Sequence, residues 1–69
     1  MNIAELELLV RGVILHRGLP FTLTSVSGSV GGWTVLVRGE RGDVVRFTLI
    51  GDRAVAMRVA IQEQLEAEL

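Results

Sequence analysis

The segment WTVLVRGERGDVVRFTLI, residues 33–50, contains two alternating apolar stretches on either side of a glycine-containing turn. Opposed residues in an antiparallel pair share a face, so placing Val35 opposite Phe47 gathers the large apolar side chains on one side. This alignment leaves a three-residue loop, 40–42, in which Gly42 takes the left-handed position that commonly closes such loops. The pattern predicts a β-hairpin that pairs Trp33 with Leu49, Val35 with Phe47, Val37 with Val45, and Gly39 with Asp43.

Capping signals predict a helix ahead of this hairpin, over residues 3–17. Asn2 followed three positions later by Glu5 is typical of a helix N-terminus, and Gly18 is typical of a helix end. The apolar residues at helical spacing form a stripe that we expect to be buried: Ile3, Leu6, Val10, Val13 and Ile14.

Residues 21–27 alternate between apolar and polar side chains, which predicts a further strand. Val26 breaks this alternation and indicates a bulge near Ser25. Residues 28–32 are expected to form a flexible hairpin loop, because they are rich in glycine and lack the lysine and following helix of a phosphate-binding loop.

Asp52 is the predicted N-cap of a second helix that runs from Arg53 to near residue 69. Its expected buried stripe is Ala54, Met57, Ile61 and Leu65. Residues 1–69 therefore predict one small α+β domain with the order α-β-β-β-α. We expect two layers, in which both helices pack on one face of a three-stranded antiparallel meander.

Composition excludes several classes of protein. Hydrophobic residues make up 49% of the chain and the formal net charge is −1, which is too apolar and too neutral for disorder. The sequence contains no cysteine and a single histidine, so disulfides, thiolate chemistry and a histidine-rich metal site are not expected. No apolar run is long enough to span a membrane. The acidic N-terminal stretch does not resemble a secretory signal, and a cytoplasmic location is expected.

No catalytic constellation is evident, and we expect neither enzymatic activity nor a cofactor. His16, which could serve as a general base, lies in the predicted last helical turn, where it complements the helix dipole and has no sequence neighbour to orient it. Trp33 could stack on a ligand, but the predicted register places it beside Leu49 in the core.

Apolar residues remain after the core is assigned, and they predict an interaction surface. A domain this small has a modest core, and association would bury additional area. We predict a homo-oligomer, most simply a homodimer, or an adaptor for another protein. Val26 is also expected on the outer sheet face, beside Leu36 and Val44. The expected interface residues lie on both helices and on that face: Leu8, Gly12, Leu15, Leu36, Val44, Val55 and Val59.

The alternative prediction is weak nucleic-acid binding. All seven basic residues are arginines in residues 11–58, and the net charge of that segment is 7 − 3 = +4. Arg38 and Arg46 are expected on the outer sheet face, and Arg41 on the adjacent hairpin tip. Three arginines would supply a small electrostatic contribution to phosphate binding.

Overall fold

The computed structural model describes residues 1–51 and 53–69. Its elements follow the predicted order, and the sheet is antiparallel with strand order β1-β2-β3. Residues from both helices and all three strands share one apolar cluster, so the helices pack on the same face of the sheet. The predicted two-layer α+β fold is confirmed. The elements are α1 (Ile3–Arg17), β1 (Phe21–Ser29), β2 (Gly32–Gly39), β3 (Val44–Ile50) and α2 (Ala54–Ala67).

The predicted bounds and caps of α1 are confirmed. The side-chain oxygen of Asn2 accepts a hydrogen bond from the Glu5 amide at 2.8 Å, which satisfies a helix N-terminal N–H group. At the other end, Gly18 caps the helix and its amide donates to the Leu15 carbonyl.

The β2–β3 hairpin has the predicted register, with Val35 opposite Phe47. The Gly39 amide donates to the Asp43 carbonyl at 2.8 Å and closes the three-residue loop. Gly42 has φ +84°, which is the left-handed conformation that the turn requires and that side chains disfavour.

The predicted bulge in β1 is confirmed, and it corrects the expected position of one side chain. The register shifts between Leu23 and Ser25, so one extra residue is accommodated in β1. This shift turns Val26 into the core, where it is 8% exposed, instead of leaving it on the outer face. The outer face is consequently more polar than expected.

The loop expected over residues 28–32 is shorter than predicted. β1 continues to Ser29 and β2 begins at Gly32, so Val30 and Gly31 form a two-residue turn. Gly31, the second central residue of this turn, has φ +77°, whereas Val30 does not have a positive φ; positive φ at the second central position is the requirement of a type II turn, and glycine meets it. The segment is therefore part of a tight hairpin.

The start of α2 differs by one residue from the prediction. The helix begins at Ala54, and Arg53 occupies the N-cap position without a side-chain hydrogen bond to the helix. Asp52, the predicted cap, lies outside the described residues. Ala54 is exposed, so the buried stripe begins at Met57.

The core lies between the sheet and the helical layer. Trp33 packs against its edge, half-buried, and its indole Nε1 donates to the Gly51 carbonyl at 3.2 Å, which ties β2 to the end of β3. Trp33 thus lies on the core face of the sheet, as its register predicted, but at the edge of the core and only partly buried. The fully or nearly buried apolar residues are Leu6, Val10, Val13, Val26, Val35, Val37, Phe47, Leu49, Met57, Ile61 and Leu65.

Candidate interaction surfaces

The solvent-facing side of α1 carries two large apolar residues. Leu6, Val10 and Val13 face the core, and helical geometry places Leu8 and Leu15 on the opposite side. Leu8 is 70% exposed and Leu15 is 84% exposed. The structure therefore places both residues on a surface of the domain, where the sequence predicted unoccupied apolar area.

Gly12 lies on the same side of α1, one turn from each leucine. An added Cβ at this position would meet no atom within 4 Å. The backbone of α1 is therefore accessible here, and another helix could approach it closely.

α2 contributes a second exposed apolar pair. Met57 and Ile61 face the core, whereas Val55 is 79% exposed and Val59 is 52% exposed. Val55 precedes Arg58 by three residues and Val59 precedes Gln62 by three, so each valine neighbours a polar residue of α2 along the helix surface.

A groove of about 300 Å³ separates the two helices. Apolar residues, Gly12, an imidazole and a guanidinium of α1 form one side of the lining, and a guanidinium and an amide of α2 form the other. The exposed leucine Leu8 borders it, so the groove and the apolar residues are parts of one helical face. The lining residues are Leu8, Leu9, Gly12, Val13, His16, Arg17, Arg58 and Gln62.

His16 is exposed and lines this groove. Among the described residues that line it, none has a carboxylate, hydroxyl or thiol side chain. A catalytic histidine requires a group to orient it and a group to act on, and the groove provides neither from its own lining. The lining therefore combines an exposed imidazole with guanidinium, amide and apolar side chains.

The remaining predicted interface residues lie on the other side of the domain. Val44 is 55% exposed and Leu36 is half-buried, and both are on the outer sheet face. The structure does not bring them near Leu8 or Leu15, because the sheet and the helical layer lie between. The predicted interface set therefore consists of two separate surfaces.

The outer sheet face combines two arginines with hydroxyl side chains. Arg38 lies opposite Val44 and Arg46 opposite Leu36, so the arginines are diagonal neighbours at about 7–8 Å between Cα atoms. Arg41 is exposed on the adjoining hairpin loop. Along the paired positions of this face, the described residues include no carboxylate. Its hydroxyl residues are Thr22, Ser25, Ser27, Ser29, Thr34 and Thr48.

The sequence interpretation missed some exposed and groove-lining residues. Ile50 lies on the outer sheet face and is 86% exposed. Successive strand residues point to opposite faces, so the predicted burial of Leu49 could have identified Ile50 as exposed. Arg58 and Gln62 could not be assigned to the groove from spacing alone, because their position depends on how α2 packs beside α1.

A second depression surrounds Trp33, between the β1–β2 turn and Gly51. Its lining consists of glycines, Ser29, Val30 and the indole ring. The indole N–H is already bonded to the Gly51 carbonyl, so it is not free to orient a ligand. The depression is thus a weaker candidate than the helical groove.

None of the helices described by the structure combines the length and apolarity needed to cross a bilayer. Within residues 1–51 and 53–69, no group of three acidic or histidine side chains is arranged to hold a metal ion.

Comparison with known proteins adds no family assignment. No protein-family model, curated protein or solved structure matches the chain. A functional assignment therefore depends on the two surfaces of the domain itself.

Proposed function

We propose that this domain is a non-enzymatic interaction module that forms a homodimer through its helical face. The observation that supports this proposal is the exposure of Leu8 and Leu15 beside a groove that Val55 and Val59 flank on the other helix. Four large exposed apolar side chains on one face are typical of a protein contact surface.

The size of the core supports the same proposal. A domain of about 60–70 residues buries roughly 60% of its unfolded surface, and such a core rarely supplies more than ~3–5 kcal/mol. The sequence has no cysteine to form a disulfide. Burial of the helical face against a second copy would add to the stability of the folded state by mass action.

Light scattering combined with sedimentation tests the proposal. We expect a mass of twice 7.5 kDa at high micromolar concentration. Replacing both leucines, Leu8→Glu with Leu15→Glu, should give a monomer with an unchanged helical circular dichroism spectrum, because both residues lie outside the core. Val44→Glu, on the outer sheet face, is the matched control and should leave the dimer intact.

A wild-type protein that is monomeric at high micromolar concentration would overturn the homodimer proposal. In that case the helical face would remain available to a different protein, and the adaptor role would take its place. Loss of the dimer in Val44→Glu, with no effect of the two leucine substitutions, would transfer the interface to the outer sheet face.

We propose weak nucleic-acid binding as the second candidate function, at the outer sheet face. The observation in its favour is the diagonal pair Arg38 and Arg46 on a face whose described paired positions hold hydroxyls and no carboxylate. Arginine and hydroxyl groups both donate hydrogen bonds to phosphate oxygens, and Arg41 extends the cationic area. The described paired positions of this face include no aromatic side chain for base stacking, so binding would be independent of sequence.

A salt titration with single- and double-stranded DNA and RNA tests this second function. Binding should weaken steeply with salt, and each of Arg38→Gln and Arg46→Gln should lower the slope of log K against log salt by about 1. Arg11→Gln, on α1, removes the same charge from the helical layer and should not change the slope. A flat titration at low salt would eliminate this function.

A further inference from the structure

We infer that the free edge of β3 is a second contact surface, at which β3 pairs antiparallel with β3 of another copy of the chain. β3 is the last strand of the sheet, and among the described strands it pairs with β2 alone. Its pairing with β2 runs from Val44 to Ile50 without a register shift. The edge lies apart from the groove between the helices, so this contact is independent of the proposed helical-face dimer.

Backbone hydrogen bonds determine which residues of β3 face outward. The Gly39 amide donates to the Asp43 carbonyl, so these two residues form a hydrogen-bonded pair of the hairpin. Hydrogen-bonded and non-hydrogen-bonded pairs alternate along an antiparallel ladder, so the residues of β3 that bond to β2 are 45, 47 and 49. The amide and carbonyl groups of residues 44, 46, 48 and 50 therefore point toward the free edge.

The sequence of β3 selects one register for a two-fold pair. If the pair is centred on Phe47, all four outward-facing residues lie in opposed pairs, and each pair exchanges two hydrogen bonds. Val44 then lies opposite Ile50 of the partner copy, so the exposed apolar residues at the two ends of the strand are paired. Arg46 lies opposite Thr48 of the partner copy, which carries no charge.

The neighbouring registers satisfy fewer groups. Centring the pair on residue 46 would place Arg46 opposite Arg46 of the partner copy and would leave Ile50 unpaired within the strand. Centring it on residue 48 would leave Val44 unpaired and would place Arg46 opposite an isoleucine. Each of these registers has three opposed pairs of outward-facing residues in place of four. Hydrogen bonding, apolar pairing and charge therefore favour the same register, centred on Phe47.

The helical layer allows a second copy to lie beside β3. α1 packs over β1 and α2 over β3, so the side of α2 away from α1 lies above the free edge. Arg58 and Gln62 mark the side of α2 that faces α1, because they line the groove. Short side chains on the other side would let α2 of the partner copy approach closely. Helical geometry places on that side Ala56, Ala60, Gln64 and Ala67.

The contact is one strand wide and is therefore expected to be weak. β3 has seven residues, which span about 23 Å at ~3.3 Å per residue. Contacts this narrow belong to the weak, transient class of interfaces, so we expect a dissociation constant on the order of 1 mM. The helical-face dimer forms at lower concentration, and edge pairing then joins dimers through a second two-fold contact.

Paired single-cysteine variants test the register. The chain contains no cysteine, so any disulfide joins introduced residues. In the Phe47 register, residue 46 of one copy and residue 48 of the other have Cα atoms ~5.5 Å apart, within the ~4.4–6.8 Å that a disulfide spans. We therefore expect an equimolar mixture of Arg46→Cys and Thr48→Cys, briefly oxidised at millimolar concentration, to favour the mixed disulfide. Its yield should be at least about fivefold above the mean of the two same-variant disulfides, against about twofold for random collision.

Mass spectrometry of the unreduced protein separates the three disulfide-linked species, and circular dichroism verifies that each variant is folded. Val44→Cys mixed with Ile50→Cys is a second pair that the same register places in opposition, and both positions are exposed. Thr22→Cys mixed with Ser27→Cys is the matched control, because these exposed residues lie on β1, away from the β3 edge. The control pair should give the random ratio.

The whole comparison is repeated in the Leu8→Glu, Leu15→Glu background, which separates the edge contact from the helical face. Excess mixed disulfide for both β3 pairs in both backgrounds supports the proposed contact, whether or not the wild-type protein forms the helical-face dimer. Predominance of a same-variant disulfide at position 46 or 48 overturns the Phe47 register. A random ratio in the β3 pairs, equal to that of the β1 control, overturns edge pairing. An excess that disappears with the leucine substitutions overturns its independence from the helical face.

Discussion

Truncation of Leu15 gives a quantitative prediction for the helical face. Leu15→Ala removes Cγ and both Cδ atoms from a side chain that is 84% exposed in the single domain. At ~0.8 kcal/mol per buried carbon, full burial of these atoms in a dimer is worth about 2.4 kcal/mol. A contact at the small end of interface sizes covers such a side chain incompletely, and half coverage gives about 1.2 kcal/mol per copy.

Two-fold symmetry doubles this loss, because the substitution is present in both copies. The expected change in dimerisation free energy is about 2.4 kcal/mol, which corresponds to a dissociation constant about 50-fold higher. The fold of each copy should be unaffected, since Leu15 is outside the core and alanine is at least as good a helix former as leucine.

Sedimentation equilibrium over a dilution series measures the dissociation constant, with circular dichroism as the test of folding. Ile50→Ala is a matched control, because Ile50 is 86% exposed and lies on the opposite face. Its dissociation constant should stay within about twofold of wild type, as expected for a surface residue outside the contact. A change of less than about threefold in Leu15→Ala, or an equal loss in Ile50→Ala, would refute the reasoning.

Three further predictions concern the stability of the fold, measured by chemical denaturation. Gly32→Ala should be destabilising by more than about 2 kcal/mol, because an added Cβ would meet the Leu49 carbonyl oxygen and the backbone would have to move; an unchanged midpoint would contradict this. Asn2→Ala should cost about 1 kcal/mol and reduce helical ellipticity, because α1 loses its side-chain cap; full retention of stability would show that the cap is dispensable. Trp33→Phe should cost ~0.5–1.5 kcal/mol through loss of the hydrogen bond to Gly51, and a variant as stable as wild type would assign that bond no net value.

Local signals in the sequence were sufficient to predict most of the fold. Asn2 and Gly18 bounded α1 correctly because capping involves backbone groups only a few residues away. The β2–β3 register was predictable because the pairing of Val35 with Phe47 and the position of Gly42 independently required the same alignment. Agreement between turn chemistry and side-chain pattern made that alignment specific.

Features that depend on tertiary packing were harder to predict. Val26 was expected on the outer sheet face. A break in the alternation indicates a bulge, but it does not show which face of the sheet the residues after the bulge occupy. Packing against the core determines that face. Exposure of Leu8, Leu15, Val55 and Val59 followed from helical periodicity, as expected. Periodicity within one helix carries no information about the spacing between helices, so the groove between α1 and α2 was not predictable.

The bulge in β1 has a consequence for the two open edges of the sheet. A bulged edge cannot offer a continuous row of regularly spaced amide and carbonyl groups, so the β1 edge resists pairing with another strand. Strand β3 pairs with β2 on its other side without a register shift, and among the described residues Val44–Ile50 the charged side chain is that of Arg46 alone. Aggregation on heating should therefore begin at the free edge of β3, which is the edge away from the bulged strand β1. Added charge at Thr48 would protect that edge without touching the helical layer.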